Sequence, residues 1–539
     1  MSLVLSAFTH MWNPIGFPYI HGDEGHYMRR AMHVLEGFGP QEQRNITWSF
    51  EQPYDHPYFG QIFLAGVLGI FGYPDILDPK RGDVVSIEML HMVPRLLMGI
   101  LAVVDTFLIY KIAERRYGRN VAFVAAALFA VMPMSWLTRR ILLDSLSLPF
   151  ILLSILFAMY TRQPQNNSSN TTITSSFRFL ASNKSNNEQN TTVLLLSLIS
   201  GIFLGLAIFT KIPTITFIPV VAFVIFTNNN KSFKSLGIWF IPVVLLPLLW
   251  PAYAISVGEF ENWVRGVTWQ VAGRTTDLIS SAQLWKGVLD VSQIDPVLLV
   301  IGFTGLVYAF LKRDYLLLLW IVPFIGFFYF VGYFRYFYWI PVIPIFCIAA
   351  ALLIVDLPKR IVRTRTKIRR LFQFTVVSAF IIFGLTIMSI LLMSNVNANF
   401  FEMYAFIVAH LPSHSQKYNV IANGGNTVMI GANWMQTFSW IPKYVFDEDH
   451  DFKMFSMKDI LDVKDKEKVI LIIDNKDLKR FILSKETSKN IKQKELYDRT
   501  HLIGKFDAKS VIPANKEYPY PSIHEYPPTR NGIEIRTNY

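Results

Sequence analysis

Residues 21–30 read His-Gly-Asp-Glu-Gly-His-Tyr-Met-Arg-Arg. Two adjacent carboxylates, Asp23 and Glu24, head a stretch in which Tyr27, Met28, Ala31, Met32 and Leu35 recur at helical spacing, with Gly37 as a stop. Acidic residues suit the first turn of a helix, where the dipole favours negative charge. That structural reading stands beside a chemical one, a general base with a neighbour that orients it. Adjacent helical residues point about 100° apart. The two carboxylates are therefore expected to divide their tasks, one facing a substrate and the other holding a neighbour or a cation.

Two further constellations follow. Tyr54-Asp55-His56-Pro57-Tyr58-Phe59-Gly60 sets a carboxylate beside an imidazole just before an apolar segment. It reads equally as a turn with proline at the first helical position. Arg139-Arg140-Ile-Leu-Leu-Asp144-Ser145 opens a long apolar run. Arg140 and Asp144 are four apart and are expected to share a helix face. They form either a self-neutralising pair at the end of a span or a phosphate grip, for which a guanidinium is well shaped.

The elements that must carry these residues are membrane helices. The chain has 539 residues, 52% of them hydrophobic, 15% aromatic and only 17% charged, with a mean hydropathy of +0.33. Soluble proteins carry about 25% charged residues. Apolar runs at 91–112, 120–138, 141–160, 193–210, 212–227, 236–257, 295–311, 315–334, 337–355 and 371–393 approach the roughly 20 residues that cross a bilayer. Residues 1–12 are too short and polar to span alone, so either a short tilted first helix runs to about Ile20 or the sequence as given omits part of the first span. That makes a polytopic α-helical membrane protein of about eleven spans.

The net charge of +12 does not point to nucleic acid, because its basic residues sit in short loops. Lys359 to Arg370 holds seven in twelve, and smaller clusters occur at Lys111, Arg115, Arg116 and Arg119, at Lys231 and Lys234, and at Lys312 and Arg313. Basic loops mark the cytoplasmic side. Alternation then puts 13–90, 258–294 and 394–539 outside and 161–192 inside. The Asn/Ser/Thr-rich stretch 161–192, with sequons at Asn166, Asn167, Asn170, Asn183 and Asn190, reads as a linker. Asn45 heads the one upstream sequon on the outer side. Residues 57–73 read as an interfacial helix.

From about 394 the composition becomes that of a small soluble α/β domain, giving a membrane domain over 1–393 and an extracytoplasmic one over 394–539. Lys468 to Asp474, Tyr418 to Ala422 and Thr427 to Ile430 read as strands, 476–484 as a helix and the last 25 residues as irregular. Cys347 is the one cysteine, so no disulfide forms within the chain, which favours a prokaryotic cell surface. No cleavable signal peptide is expected. Asp447, Asp449 and Asp451 begin like a calcium loop, but Phe452 and Lys458 replace its glycine and glutamate. Asp105, mid-span, is expected to be a helix-packing hydrogen-bond partner rather than a proton site. Trp263, Trp269, Gln270 and Arg274 in the loop 258–294 either close over a ligand or anchor an interface.

Taken together these motifs resemble the GT-C membrane glycosyltransferases, and most closely the protein O-mannosyltransferases of glycosyltransferase family 39, with lipid A aminoarabinose transferases as more distant relatives. Asp23-Glu24 with Tyr27 resembles the family's acidic motif in the first outer loop. Asp55-His56-Pro57 with Gly60 resembles its His-Pro-Pro-Leu-Gly-Lys segment, and Arg140-Ile-Leu-Leu-Asp144-Ser145 its Arg-x-Ile-Leu-Leu-Asp stretch. Gly201 to Lys211 is similar too. Tyr58 replaces the second proline and Gln61 the lysine, so a phosphate contact is sought elsewhere, at Lys211, Arg274 or Arg335.

The resemblance implies an inverting glycosyltransferase. Its donor would be a polyprenyl-phosphate sugar, mannose or another hexose, and its acceptor a protein, lipid or glycan hydroxyl on the outer face. Asp23 would be the base. Arg140, then Lys211 and Arg335, would bind the donor phosphate. Glu24, Asp55 and His56 would hold a divalent cation or orient Asp23, with Tyr27, Asp144 and Arg274 in support. A transporter or flippase of a lipid-linked or polar substrate is the alternative, since many spans with embedded charge suit it as well. No internal repeat of the kind transporters carry is visible, and the polar residues fall at outer span ends. A scaffold that uses the outer domain to bind a partner is a third reading.

Overall fold

The computed structural model describes residues 1–40, 54–162, 186–270, 281–361, 366–410, 427–431, 440–445, 453–456, 468–474, 494–495, 497–507 and 532–537. Arg274, Asn45, the sequons at Asn166, Asn167, Asn170 and Asn183, Tyr418 to Ala422, the helix expected at 476–484 and the Asp447–Asp451 loop lie outside these residues.

Helices run in the order α1 Ser2–Met11, α2 Gly22–Leu35, α3 Phe59–Ile70, α4 Val84–Tyr117, α5 Arg119–Val131, α6 Leu143–Tyr160, α7 Asn186–Thr210, α8 Ile218–Asn228 and α9 Phe233–Ser256. There follow α10 Phe260–Thr268, α11 Ser281–Ile294, α12 Pro296–Leu311, α13 Tyr315–Val331, α14 Ile343–Ile361, α15 Thr366–Leu392, α16 Ala398–His410 and α17 Ile441–Val445. The strands are β1 Thr427–Gly431, β2 Lys453–Ser456, β3 Lys468–Asp474, β4 His501–Phe506 and β5 Ile533–Thr537.

The ten apolar runs fall mostly on α- and 3₁₀-helical segments, but fewer than the expected eleven or so pass as spans. Among the described residues six helices are long and apolar enough to cross a membrane, or eight if each bent pair counts as one span. The two pairs are α5 with the 3₁₀ turn Pro133–Arg139, bent by 69°, and Leu284–Ile294 with α12, bent by 120°. Proline causes both breaks, since it disfavours helical backbone in the residue before it. Met132 is extended there and Asp295 is likewise non-helical. Asp295 joins the breaks: one carboxylate oxygen caps α12 at Leu298 N (2.8 Å) and the other accepts from Met134 N (3.1 Å). Ser2–Met11, Phe59–Ile70, Ile212–Asn228 and Tyr315–Val331 are shorter apolar helices.

The basic loops meet at one end of the bundle. Arg116 pairs with Asp314 (3.5 Å), Lys312 and Lys359 both pair with Asp356, and Asn228 donates to Ala158 O (3.1 Å). At the other end α16 packs on α4, Trp440 stacks on His91 (5.5 Å) and Tyr444 donates to Glu36. A five-stranded sheet of order β2-β1-β3-β5-β4 lies beyond. β1 pairs parallel with β2 and β3, while β5 pairs antiparallel with β3 and β4. Phe406 of α16 meets Phe506 of β4 at 5.4 Å.

Four expectations change. Residues 533–537, expected to be irregular, form a strand whose side chains alternate toward the sheet core. Asn190, placed in a linker, lies within α7. Asp105 is buried, and its Oδ1 has no hydrogen-bond partner among the described residues. Arg140 is not on the α6 face with Asp144: it ends the 3₁₀ turn in extended backbone, three residues before α6 begins.

Candidate active site

The segment between α1 and α2 has little regular structure, so its backbone is held by side chains. Asn397 donates to Ile15 O (2.6 Å) and Pro18 O (2.9 Å) and accepts from Ile20 N (3.1 Å). Asn13 donates to Leu392 O (2.7 Å). Arg95 of α4 donates to Pro14 O (3.0 Å) and Pro18 O (2.7 Å). The start of α2 is thereby fixed against α4 and the end of α15.

A capping box begins α2. His21 Nδ1 accepts from Asp23 N (3.1 Å), and Glu24 Oε1 accepts from His21 N (2.9 Å), which satisfies two N–H groups that a helix start leaves open. Since a backbone N–H can only donate, His21 Nδ1 carries the lone pair. Burial pushes the His21 pKa below its usual 6.5, with nearby Arg140 and Arg335 acting in the same direction.

Glu24 and Asp23 divide as the helix geometry requires. Glu24 is fully buried and takes a two-pronged grip from Arg95, Nε to Oε2 at 3.0 Å and Nη2 to Oε1 at 2.8 Å, while Oε2 also accepts from Ile141 N (3.1 Å). Burial raises its pKa, but Arg95 more than offsets this and holds it at about 2. Every feature of Glu24 is that of a strut between α2, α4 and the backbone next to Arg140. Asp23 keeps 36% of its side chain exposed. Burial again raises its pKa, and the surrounding His21, His26, Lys211 and His56 together hold it below the usual 3.8. Asp23 is thus an ionised, reachable carboxylate among imidazoles.

A second buried carboxylate stands behind it. Asp55 pairs with Arg30 at 2.7 Å, with His56 Nδ1 at 3.3 Å and His26 Nε2 at 3.8 Å from its other oxygen. Burial opposes its ionisation, yet Arg30 and the two imidazoles keep it well below the carboxylate range. Gln270, just past α10, lies 3.0 Å from His56 Nδ1. Tyr27 meets the His56 ring edge-on at 6.0 Å. Burial and the nearby carboxylates of Asp23, Asp144 and Asp55 keep its phenol protonated.

Glycines bring the cations close. A Cβ on Gly60 would stand 2.7 Å from Leu143 Cδ2 and 3.0 Å from Thr210 Cγ2, so α3 meets the very turns that carry Asp144 and Lys211. Gly201 and Gly205 let α7 rest on α9, where a Cβ would reach Trp239 O at 2.1 Å and Pro242 O at 2.4 Å. This small-xxx-small spacing suits close helix packing in membranes. Lys211, just past α7, pairs with Asp144 and lies over the Tyr338 ring at 4.2 Å.

Arg140 is buried, donates to the Tyr336 hydroxyl and to Tyr19 O (3.3 Å), and lies over Trp136 at 4.9 Å. Among the described residues no carboxylate comes within ion-pair distance of it, and its Nε has no hydrogen-bond partner. Arg335 is half-buried, donates to the Tyr333 hydroxyl (2.9 Å), and its charge reaches His21. Among the described residues no three His, Cys, Asp or Glu side chains gather as a metal site. Glu24, Asp55 and His56 therefore do not form a cation cage between them.

Sequence reasoning passed over Arg95, Arg30, His21 and His26. Arg95 had a signal: an arginine in the first long span needs a partner, and Glu24 was an available one. Tyr336 and Tyr338, packed against Arg140 and Lys211, had none beyond their aromatic surroundings.

The sequence profile described as "Dolichyl-phosphate-mannose-protein mannosyltransferase" matches residues 90–172, a stretch holding Arg95, Arg140 and Asp144. The structure superposes on ArnT from Cupriavidus metallidurans bound to undecaprenyl phosphate, with a TM-score of 0.51 and 13% identity over 100% of this chain and 96% of ArnT. It also superposes on the archaeal oligosaccharyltransferase AglB from Archaeoglobus fulgidus, in complex with an inhibitory peptide and a dolichol-phosphate, with a TM-score of 0.51 and 13% identity over 95% of this chain and 74% of AglB. The chain has the fold of the GT-C membrane glycosyltransferases. Within the GT-C fold it resembles the protein O-mannosyltransferases through residues 90–172 and ArnT along its whole length. No curated protein matches the sequence significantly.

Proposed function

We propose that this chain is an inverting glycosyltransferase that moves a sugar from a polyprenyl-phosphate donor to an acceptor hydroxyl at the outer face of the membrane. The observation that carries the reading is Arg140, a buried guanidinium with no carboxylate at ion-pair distance among the described residues, next to Ile141, whose amide the Glu24 strut holds. Glu24 feels the charge of Arg140 but is already gripped by Arg95, and a buried charge without a close counter-ion is costly. A lipid-linked phosphate would supply one. Arg140, with Lys211 and Arg335, is our phosphate-binding set.

In this mechanism the acceptor oxygen attacks the anomeric carbon as the bond from that carbon to the phosphate oxygen breaks. The hydroxyl proton goes to Asp23, the polyprenyl phosphate leaves from the opposite face, and the configuration inverts. A positioned base contributes about 10²–10⁴-fold. Asp55, His26 and His56 orient the Asp23 surroundings, and Tyr27 stays neutral as a donor. Arg274 is kept as a further phosphate contact on the sequence alone. The profile that matches residues 90–172 names dolichyl-phosphate mannose and a protein, so mannose and a protein hydroxyl are the first donor and acceptor to try. A divalent cation is not needed by this scheme, and adding chelator is its own test.

The experiment is sugar transfer in membranes containing the wild type or Asp23→Asn, with a panel of labelled polyprenyl-phosphate sugars and an acceptor extract. Consumption of one donor by the wild type, lost in Asp23→Asn at equal expression, supports the assignment. Donor use that Asp23→Asn leaves unchanged removes Asp23 as the base. No donor use by the wild type removes the transferase reading.

A further inference from the structure

α4 and α6 both run from the candidate active site to a second charged place at the far end of the bundle. From Arg95 to Arg115 along α4 is about 30 Å, and from Asp144 to Met159 along α6 about 22 Å, at roughly 1.5 Å per residue. The hydrocarbon layer is itself about 30 Å thick. At that far end, among the gathered basic loops, lies a cavity of 550 Å³ lined by Arg115, Arg116 and Arg162 together with Thr227, Asn228 and Asn230.

Among the described residues its charge is not balanced from within. Arg115 donates to Met159 O (2.9 Å) and lies over the Tyr160 ring at 4.3 Å, without a carboxylate partner among the described residues. Arg162 has none either. Arg116 reaches Asp314 (3.5 Å), which also accepts from the Tyr117 hydroxyl (2.8 Å). Glu114, the other nearby acid, is occupied by Lys111 (3.0 Å) and Arg119 (3.4 Å).

The rest of the wall is apolar. Met159, Phe223, Val224 and Leu316 complete it. Phe223 packs against Tyr315 (6.1 Å), which is 54% exposed at the first turn of α13. Tyrosine at the end of a span is typical of the membrane–water interface. The cavity therefore offers guanidinium groups to an anion and an apolar flank to whatever carries it.

We infer that this cavity binds the phosphate headgroup of an anionic membrane lipid in the leaflet opposite the candidate active site, with the acyl chains against Phe223 and Leu316. Basic pockets between membrane helices on the cytoplasmic side hold such headgroups. Arginine's planar fork suits phosphate oxygens. The site is separate from the one proposed for the donor and does not depend on that reading.

The test uses the full-length protein purified in detergent. Retained lipid is counted by native mass spectrometry after exposure to mixed micelles of phosphatidylglycerol and phosphatidylcholine. Wild type is expected to retain phosphatidylglycerol in preference, and the preference should fall about fivefold for each arginine removed, in Arg162→Gln and then Arg115→Gln/Arg162→Gln. Arg162 is exposed, so the single variant reports on binding even where loss of Arg115 disturbs packing. Equal retention of both lipids by the wild type overturns the proposal, as does a preference that Arg162→Gln and the double variant both leave intact. Millimolar inorganic phosphate that displaces nothing supports a lipid ligand. Protection from heat unfolding by inorganic phosphate, with no preference between the lipids, would reassign the cavity to a soluble anion and overturn the lipid assignment.

Discussion

Arg139 and Arg140 are adjacent and buried, yet they meet different needs. Arg139 donates to Thr9 O (3.0 Å) and Trp12 O (2.6 Å), carbonyls that the end of α1 leaves open, and to Asn13 O (2.9 Å) just past it. Arg140 finds a phenol, one long carbonyl contact and two aromatic faces. The second arginine is the one left to receive an anion. Arg140→Gln is therefore expected to lower kcat by about 10²–10³, the loss seen when one donor to a developing negative charge is removed, with the unfolding temperature little changed. A drop in stability with near-normal turnover would make Arg140 a packing residue instead. Asp23 carries the pH prediction. Its pKa is held below 3.8, so the base form is complete at neutral pH and is lost only as pH falls through that low value. The kcat/KM profile should then show no acid limb from Asp23 between about pH 5 and 8. A limb centred near about 6.5 would assign the base to a histidine. The Asp23–Glu24 pair was legible as two carboxylates pointing apart, because helix geometry alone separates them. What each one meets was not, because Arg95 and Lys211 approach from α4 and α7, far along the chain.

At the scale of elements the site depends on how a helix start is pinned. Arg95 makes four hydrogen bonds, two to Glu24 and two to the carbonyls of Pro14 and Pro18, and so ties α2, α4 and the segment between α1 and α2 into one unit. Removing one partner of a buried pair strands the other and costs about 3–5 kcal/mol. Arg95→Met should show a loss of that order in thermal unfolding of the purified protein, and Asp23→Asn should not. Glu24 also gives this element a pH dependence. Its pKa is lowered from 4.5 to about 2, so its stabilisation is complete above 4.5 and is lost as pH falls through about 2. An Arg95→Met protein as stable as the wild type would mean that Glu24 is no strut. The apolar runs were readable as helical segments because length and apolarity determine them, but not as ten separate spans, since breaks at proline and short helices leave six to eight among the described residues. The strand at Ile533–Thr537 was not, since its order comes from pairing with β3 and β4 rather than from its own Pro/Tyr-rich surroundings. Arg140 was misplaced onto α6 for a similar reason. Spacing gives a helix face only where the backbone is helical, and the Ile141 amide is instead drawn to Glu24.

Across the whole molecule two charged places define an axis. Asp23, Asp55 and the histidines gather where α2 meets the Arg95 end of α4 and the Asp144 end of α6, under the segment that carries α16 and α17. The arginine cavity and the basic loops gather at the other ends of the same helices. Their joining is physical, through Arg116 to Asp314 and through Lys312 and Lys359 to Asp356, so the basic loops that suggested a cytoplasmic side in the sequence do share one face. If the positive-inside rule holds, the carboxylate end faces out. The native chain suits a labelling test because Cys347 is fully buried and should stay silent to a membrane-impermeant maleimide. Phe38, 64% exposed just past α2, and Asn230, exposed at the rim of the arginine cavity, supply one probe at each end. In intact cells Phe38→Cys should label and Asn230→Cys should not, and opening the membrane should label both. Labelling of Asn230→Cys alone would invert the molecule and move the proposed sugar transfer to the cytoplasmic face. Labelling of both before the membrane is opened would mean that these ends are not separated by the bilayer, and the axis itself would be wrong.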